Sequence, residues 1–195
     1  MVIRELYEEE SDKVVAFLLA LSERDRYWRF GRAMTDAALR QYVARIEWDE
    51  SVLLGAFDQR TELVGILELA DVGNVSEIAI AVAPAYRAQG VGKALMDRAL
   101  LKAKVRGRDK VVLLCQRTNE PMRRLARSAG LEAITEDGEI TGSLELAEAG
   151  LADLTEDATR AAFGNATYAT LLAGRAWADL LENAAQVSRN ILPQQ

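Results

Sequence analysis

The segment Ser76-Glu77-Ile78-Ala79-Ile80-Ala81-Val82-Ala83-Pro84-Ala85-Tyr86-Arg87-Ala88-Gln89-Gly90-Val91-Gly92-Lys93-Ala94-Leu95 does most to limit the folds open to this chain. Its start reads as a strand, and Pro84, which cannot donate to a ladder, stops it. Two glycines follow, and a run at helical spacing begins at once. A strand that turns into a helix through a glycine loop opens a β-α-β unit and puts the chain among α/β proteins. The flanking sequence agrees. Residues 2–7 read as a short strand, and Ser11 or Asp12 caps a helix carrying Val14, Val15, Leu18, Leu19 and Leu21 to about Arg24. A second helix after Thr35 or Asp36 gathers Leu39, Tyr42, Val43 and Ile46 on one face. Strands are expected at 52–57, 63–69 and 76–83, then a helix from Gly90 to about Val105 closed by Gly107. A strand at 110–116, a helix at 119–129 ended by Gly130, and strands at 131–136 and 139–147 joined by Asp137-Gly138 complete the pattern.

The expected order is βααβββαβαββ, a mixed central sheet of about seven strands flanked by helices. It forms one domain over residues 1–149. Residues 150–195 are expected to be a helical extension, with a capping box at Asp153 and Glu156, an interruption at Gly164-Asn165, and a longer helix from Ala166 to about Asn190.

What the chain lacks narrows its chemistry. There is no histidine, which removes Ser/His/Asp and Cys/His triads and nearly all zinc sites, and no metal site is expected. The single cysteine, Cys115, lies in the apolar run from Lys110 and reads as a core thiol in a reducing compartment. With 24 Lys+Arg against 30 Asp+Glu the net charge is -6, which argues against nucleic acid as a partner and favours a cationic, amine-bearing one. No run approaches the ~18 apolar residues of a membrane span. Because Met1-Val2-Ile3-Arg4-Glu5-Leu6 lacks a signal-peptide stretch, a cytoplasmic location is expected.

Glycines at a helix N-terminus let an anion approach unpaired N–H groups and the positive dipole end. Neither common phosphate motif fits, however. A Rossmann turn needs glycine where Leu95 stands, and a P-loop needs glycine at Arg87 and Ser or Thr at Ala94. Arg87-Ala88-Gln89-Gly90-Val91-Gly92 instead resembles the Arg/Gln-x-x-Gly-x-Gly/Ala loop of the GCN5-related N-acetyltransferases, the GNAT superfamily. The run Asn119-Glu120-Pro121-Met122-Arg123-Arg124-Leu125-Ala126-Arg127-Ser128-Ala129-Gly130-Leu131 is similar to the family's later Asn-led helix, with Leu131 where Phe is usual. The likeness spans residues 2–147. It implies the GNAT fold and binding of acetyl-CoA as co-substrate, with strand and helix splayed around the pantetheine. By the same likeness Val82, Arg87, Gln89, Gly90, Val91, Gly92 and Lys93 bind the cofactor, mostly through main-chain N–H groups. Asn119 would touch the pantetheine side, and it reads equally as the N-cap before Glu120.

Acetylating an amine requires loss of an ammonium proton and support for a developing oxyanion. Without histidine the base must be a carboxylate or a water held by one. Strand alternation puts Ile78, Ile80 and Val82 on one face and Glu77 with Ala79, Ala81 and Ala83 on the other. A carboxylate beside such a small apolar surface is expected to have a raised pKa. Glu77 also resembles the glutamate that begins this strand in the family's protein-lysine acetyltransferase branch, and is the expected base; Glu68 is the reserve. The tyrosine that many relatives use as general acid is replaced by Ala126, so Tyr86 or a water would serve. The implied reaction is direct attack of an amine, a protein lysine or a small molecule, in a ternary complex. The alternative is a non-catalytic acyl-CoA-binding sensor. Arg26-Tyr27-Trp28-Arg29-Phe30 reads as a wall of the acceptor cleft. Phe163, Tyr168, Leu171, Leu172, Trp177, Leu180, Leu181 and Ile191 need a cover, either their own domain or a second copy in a homodimer.

Overall fold

The computed structural model describes residues 1–136 and 139–191, so the turn expected at Asp137-Gly138 lies outside the described residues. In chain order the elements are β1 (Val2–Leu6), α1 (Ser11–Leu19), α2 (Glu23–Phe30), α3 (Asp36–Val43), β2 (Ser51–Phe57), β3 (Leu63–Val72) and β4 (Val75–Val82). Then come α4 (Val91–Val105), β5 (Lys110–Gln116), α5 (Glu120–Ser128), β6 (Glu132–Glu136), β7 (Glu139–Glu145) and α6 (Leu151–Ile191). The strands form one mixed sheet in the order β1-β2-β3-β4-β5-β7-β6. Among the described residues β4 and β5 pair in parallel and the other neighbouring strands pair antiparallel.

Period-two alternation sorts the side chains between two cores. Leu67, Leu69, Ile78, Ile80, Val111 and Leu113 meet Leu95, Met96 and Ala99 of α4 on one face. Leu53, Phe57 and Ile66 meet Phe17 and Leu18 of α1 and Leu39 of α3 on the other, where Ala81 and Ala83 also pack. The alternation expected for β4 is therefore the one observed.

Two helical segments differ from expectation. The first helix stops at Leu19, and the Arg/aromatic stretch forms a helix of its own, α2. Ser22 caps α2 by accepting from the Asp25 N–H at 3.2 Å, and Gly31 ends it at φ 68°. Too few of its residues are apolar for periodicity to reveal it. The C-terminal segment is one uninterrupted helix of 41 residues, with no break at Gly164-Asn165. Gly164 is there because α6 crosses β1, and a Cβ at that position would lie 2.5 Å from the Ile3 carbonyl oxygen. The helix also starts earlier than its expected cap. The Gly150 N–H donates to Asp153 Oδ2 at 2.8 Å, so Asp153 supplies the third-residue half of a capping box instead of beginning the helix.

The first half of α6 is fastened by charge. Asp157 accepts from Arg98 Nη1 and from Lys102 Nζ at 3.0 Å on α4. Tyr168 stacks beneath the Arg4 guanidinium, 3.9 Å from the ring centroid.

Candidate active site

β4 and β5 pair only from Val75↔Lys110 to Ile78↔Leu113, although they continue to Val82 and Gln116. Beyond Ile78, β4 stays with β3 as far as Val82, while β5 follows β7 to Gln116. The two strands therefore part, and α2 lies over the gap. Two cavities open there. The first, about 360 Å³, is lined by Val82, Gly90, Gly92, Lys93, Asn119 and Arg124 among others. The second, about 350 Å³, is lined by Glu77, Glu68, Tyr42, Ala79 and Cys115 among others. Trp28, Arg29, Ile80 and Met122 line both, so the cavities adjoin at the point where the strands separate.

The first cavity has the character of an anion and amide site. Ala83 N–H donates to the Val64 carbonyl at 2.9 Å, so by strand alternation the Val82 N–H points the other way, into the gap. The loop then turns through Ala88 at φ 58° and Gly90 at φ 83°, the latter being the N-cap of α4. No side chain caps this helix end, which leaves the amides of its first turn to a ligand. A Cβ at Gly92 would meet Leu125 Cδ2 at 3.4 Å, so the protein itself tolerates a methyl there. These features fit a pyrophosphate-bearing acyl-CoA, which the Val82 and first-turn amides would hold.

The side chains of the loop mostly serve the chain itself. Arg87 Nε donates to the Val82 carbonyl at 3.0 Å and its Nη2 lies 2.8 Å from Asp25 Oδ1, tying the loop to α2. Gln89 donates to the Ala85 carbonyl at 2.7 Å, Val91 is buried in the core, and Lys93 pairs with Asp97 at 2.8 Å. Gln89 and Val91 offer a ligand their backbone only. Asn119 is the N-cap of α5, its Oδ1 accepting from the Met122 N–H at 3.2 Å, and it also lines the first cavity.

In the second cavity the two candidate carboxylates are in unlike situations. Glu68 is half-buried and accepts from Arg29 Nη2 and the Tyr42 hydroxyl. Burial, reinforced by the Glu68 carboxylate, pushes the Tyr42 phenol up to about 12, so it stays a donor. Glu77 is exposed and makes no hydrogen bond or ion pair among the described residues. The apolar enclosure expected around Glu77 is absent, because the alanines beside it form one wall only and the face beyond β5 is open. Register puts Glu68 opposite Ala79 and Ala70 opposite Glu77, so the two carboxylates are diagonal neighbours on one face. Tyr86, the alternative acid, donates instead to Asp58 Oδ2 at 2.7 Å and lines neither cavity. Burial pushes the Cys115 thiol up, in keeping with a core thiol.

Sequence reasoning placed Arg29 only as cleft wall and Tyr42 only on a core-facing stripe, and it gave no role to Arg124. A polar tip on an otherwise apolar helix face was the available signal for Tyr42. Arg124, an exposed cation lining the first cavity near the α4 N-terminus, was hidden among the arginines of its own helix.

A model of the Acetyltransferase (GNAT) family matches residues 15–131. The chain belongs to this family. No curated protein sequence matches it. Among solved structures, the GNAT domain of S. lividans PAT is similar with a TM-score of 0.65 at 19% identity, over 74% of this chain and 89% of that one. A PaiA N-acetyltransferase from Thermoplasma acidophilum in complex with coenzyme A gives 0.58 at 19% identity, over 73% and 97%. A spermidine N-acetyltransferase from Vibrio cholerae with CoA and spermine gives 0.58 at 16%, over 73% and 94%. These likenesses bear on the fold; membership of the family makes the protein an acyl-CoA-dependent N-acetyltransferase.

Proposed function

We propose that the protein transfers an acetyl group from acetyl-CoA to a primary amine by direct attack in a ternary complex, with Glu77 as the base. The observation that carries this reading is the junction of the two cavities. An anion-ready helix end and the Val82 N–H stand on one side, and an unpartnered carboxylate stands on the other. Glu77, directly or through a water, takes a proton from the arriving ammonium. The nitrogen lone pair then forms the C–N bond at the thioester carbonyl, whose oxygen is supported by the Val82 amide. The C–S bond breaks as the nitrogen gives up its second proton, through water, to the departing thiolate, leaving a neutral amide and the free CoA thiol. Val82, Gly90, Val91, Gly92 and Lys93 hold the cofactor through main-chain N–H groups, Asn119 lies along the pantetheine, and Arg87 and Gln89 shape the loop. Glu68, committed to Arg29 and Tyr42, orients the cavity wall.

A sensor that binds acyl-CoA without turnover is the second reading. It is favoured by one observation: no tyrosine lines the first cavity, and the Tyr42 hydroxyl of the second is committed to Glu68. Glu77→Gln separates the two. Turnover followed by CoA release should fall by ~10²-fold or more while CoA affinity is retained. Unchanged turnover across pH would remove Glu77 from the role, and acetyl-CoA binding by the wild type with no transfer in a broad acceptor screen would favour the sensor. We further take residues 1–149 as the acyltransferase unit and 150–195 as its extension, the protein as cytoplasmic, and the distal part of α6 as a homodimer contact.

A further inference from the structure

On the face of the sheet that carries Glu77, register places Glu77, Val112, Ser143 and Glu132 in one row across β4, β5, β7 and β6. The adjacent row holds Leu114, Thr141 and Ile134. Helix α5 packs on the opposite face of β5 and β6. Among the described residues the near face is open to solvent, with Leu114 51% and Ile134 58% exposed. A solvated antiparallel face is ordinarily polar, and this one combines an apolar row with an acidic one. Lys110, at the end of the same face, is paired with Glu145 at 3.0 Å and does not offset the acidic row. Glu132, like Glu77, is exposed and has no hydrogen bond or ion pair among the described residues. Three strand spacings put the two carboxylates about 14 Å apart.

We infer that the acceptor is a lysine within an extended basic segment of a polypeptide, lying across the β5–β7–β6 face. Its acceptor amine reaches Glu77, and a second basic side chain sits at Glu132. The inference rests on the amine-acetylation reading above. Leu114 lines the second cavity as well as the open face, so the face continues directly out of the acceptor site. Its apolar row receives the side chains between the two basic ones. A small polyamine held in the second cavity would leave the exposed Leu114 and Ile134 and the carboxylate of Glu132 without a role.

The test uses the full chain, acetyl-CoA and four acceptors: a lysine peptide with a neighbouring arginine, the same peptide with glutamate in place of the arginine, spermine, and propylamine. The basic peptide should exceed the acidic peptide and spermine by about tenfold or more in kcat/KM. Glu132→Lys should reverse the order of the two peptides and leave propylamine turnover unchanged. Spermine as the best acceptor would overturn the inference, as would peptide discrimination that survives Glu132→Lys. A dimer that Ile134→Asp converts to a monomer would assign the face to a second copy and also overturn it. Anisotropy of the labelled basic peptide on CoA-loaded protein gives a readout independent of transfer. Peptide binding that depends on Glu132, with no CoA release from any acceptor, would remove the transfer reading and uphold the docking surface.

Discussion

Gly90 and Gly92 stand two residues apart, yet the structure gives them different reasons to be glycine. Gly90 sits at φ 83°, where any side chain is strained, although a Cβ there meets nothing within 4 Å. Gly92 has ordinary helical backbone and room for a methyl, so its small size serves whatever approaches the helix end. Gly92→Ala should therefore keep thermal stability while weakening CoA binding by about tenfold or more, measured by calorimetry. Gly90→Ala should lose about 1 kcal/mol of stability as well. Equal CoA affinity in Gly92→Ala would move the phosphates away from this turn. A second residue-scale effect concerns pH. Burial would raise the Glu10 carboxyl, but hydrogen bonds from Arg4 and Lys13 outweigh it and hold the group at about 2, against 4.5 unperturbed. Because the folded value is the lower one, the stabilisation is complete above about 4.5 and is lost as pH falls toward 2. Because solvent screens part of this pair, Glu10→Gln should be less stable than wild type at neutral pH by on the order of 1 kcal/mol, with the gap closing near pH 2 in denaturant titrations.

At the scale of the element, α6 offers a paired test on one helix. Helix propensity alone makes both Gly164→Ala and Gly174→Ala favourable by up to about 1 kcal/mol. At Gly174 nothing lies within 4 Å of an added Cβ, so Gly174→Ala should raise Tm slightly. At Gly164 the added carbon would lie 2.5 Å from a backbone oxygen of β1 that has little freedom to move. Gly164→Ala should lower stability by about 1–3 kcal/mol, and an increase would mean that α6 does not cross β1 this closely. The same helix depends on Asp157. Its removal leaves Arg98, only 4% exposed, without its carboxylate, and Asp157→Ala should cost about 3 kcal/mol by denaturant unfolding. The glycine at 164 looked like a helix break in the sequence because local propensity is all that a single segment displays. The strand it must clear is more than 150 residues away in the chain, which no periodicity reports.

For the whole molecule, α6 is about 60 Å long, and its contacts with the domain reach Arg175, which pairs with Glu62 at 2.9 Å. Just beyond that anchor Trp177, Leu180 and Leu181 are 68%, 60% and 67% exposed. If a second copy covers them, sedimentation of the full chain should show a dimer that becomes a monomer when the chain ends after Arg175. A monomeric full chain at micromolar concentration would refute it. Ending the chain near Gly150 instead would also strip Tyr168 and Asp157 from the domain and confuse association with unfolding. The strands, the glycine-loop helix, the two faces of β4 and the acyl-CoA family were legible in the chain before it folds, since they depend on short-range periodicity, on φ at a turn and on residues close together in the chain. The tertiary structure alone decided which carboxylate is committed and which is free. Glu68 and Glu77 look alike in sequence, and only the packing of α2 and α3 over the sheet brings Arg29 and Tyr42 to the first and leaves the second open. It also decided that β4 and β5 part after Ile78, because each strand's other neighbour, β3 for one and β7 for the other, holds it through hydrogen bonds between residues distant in the chain.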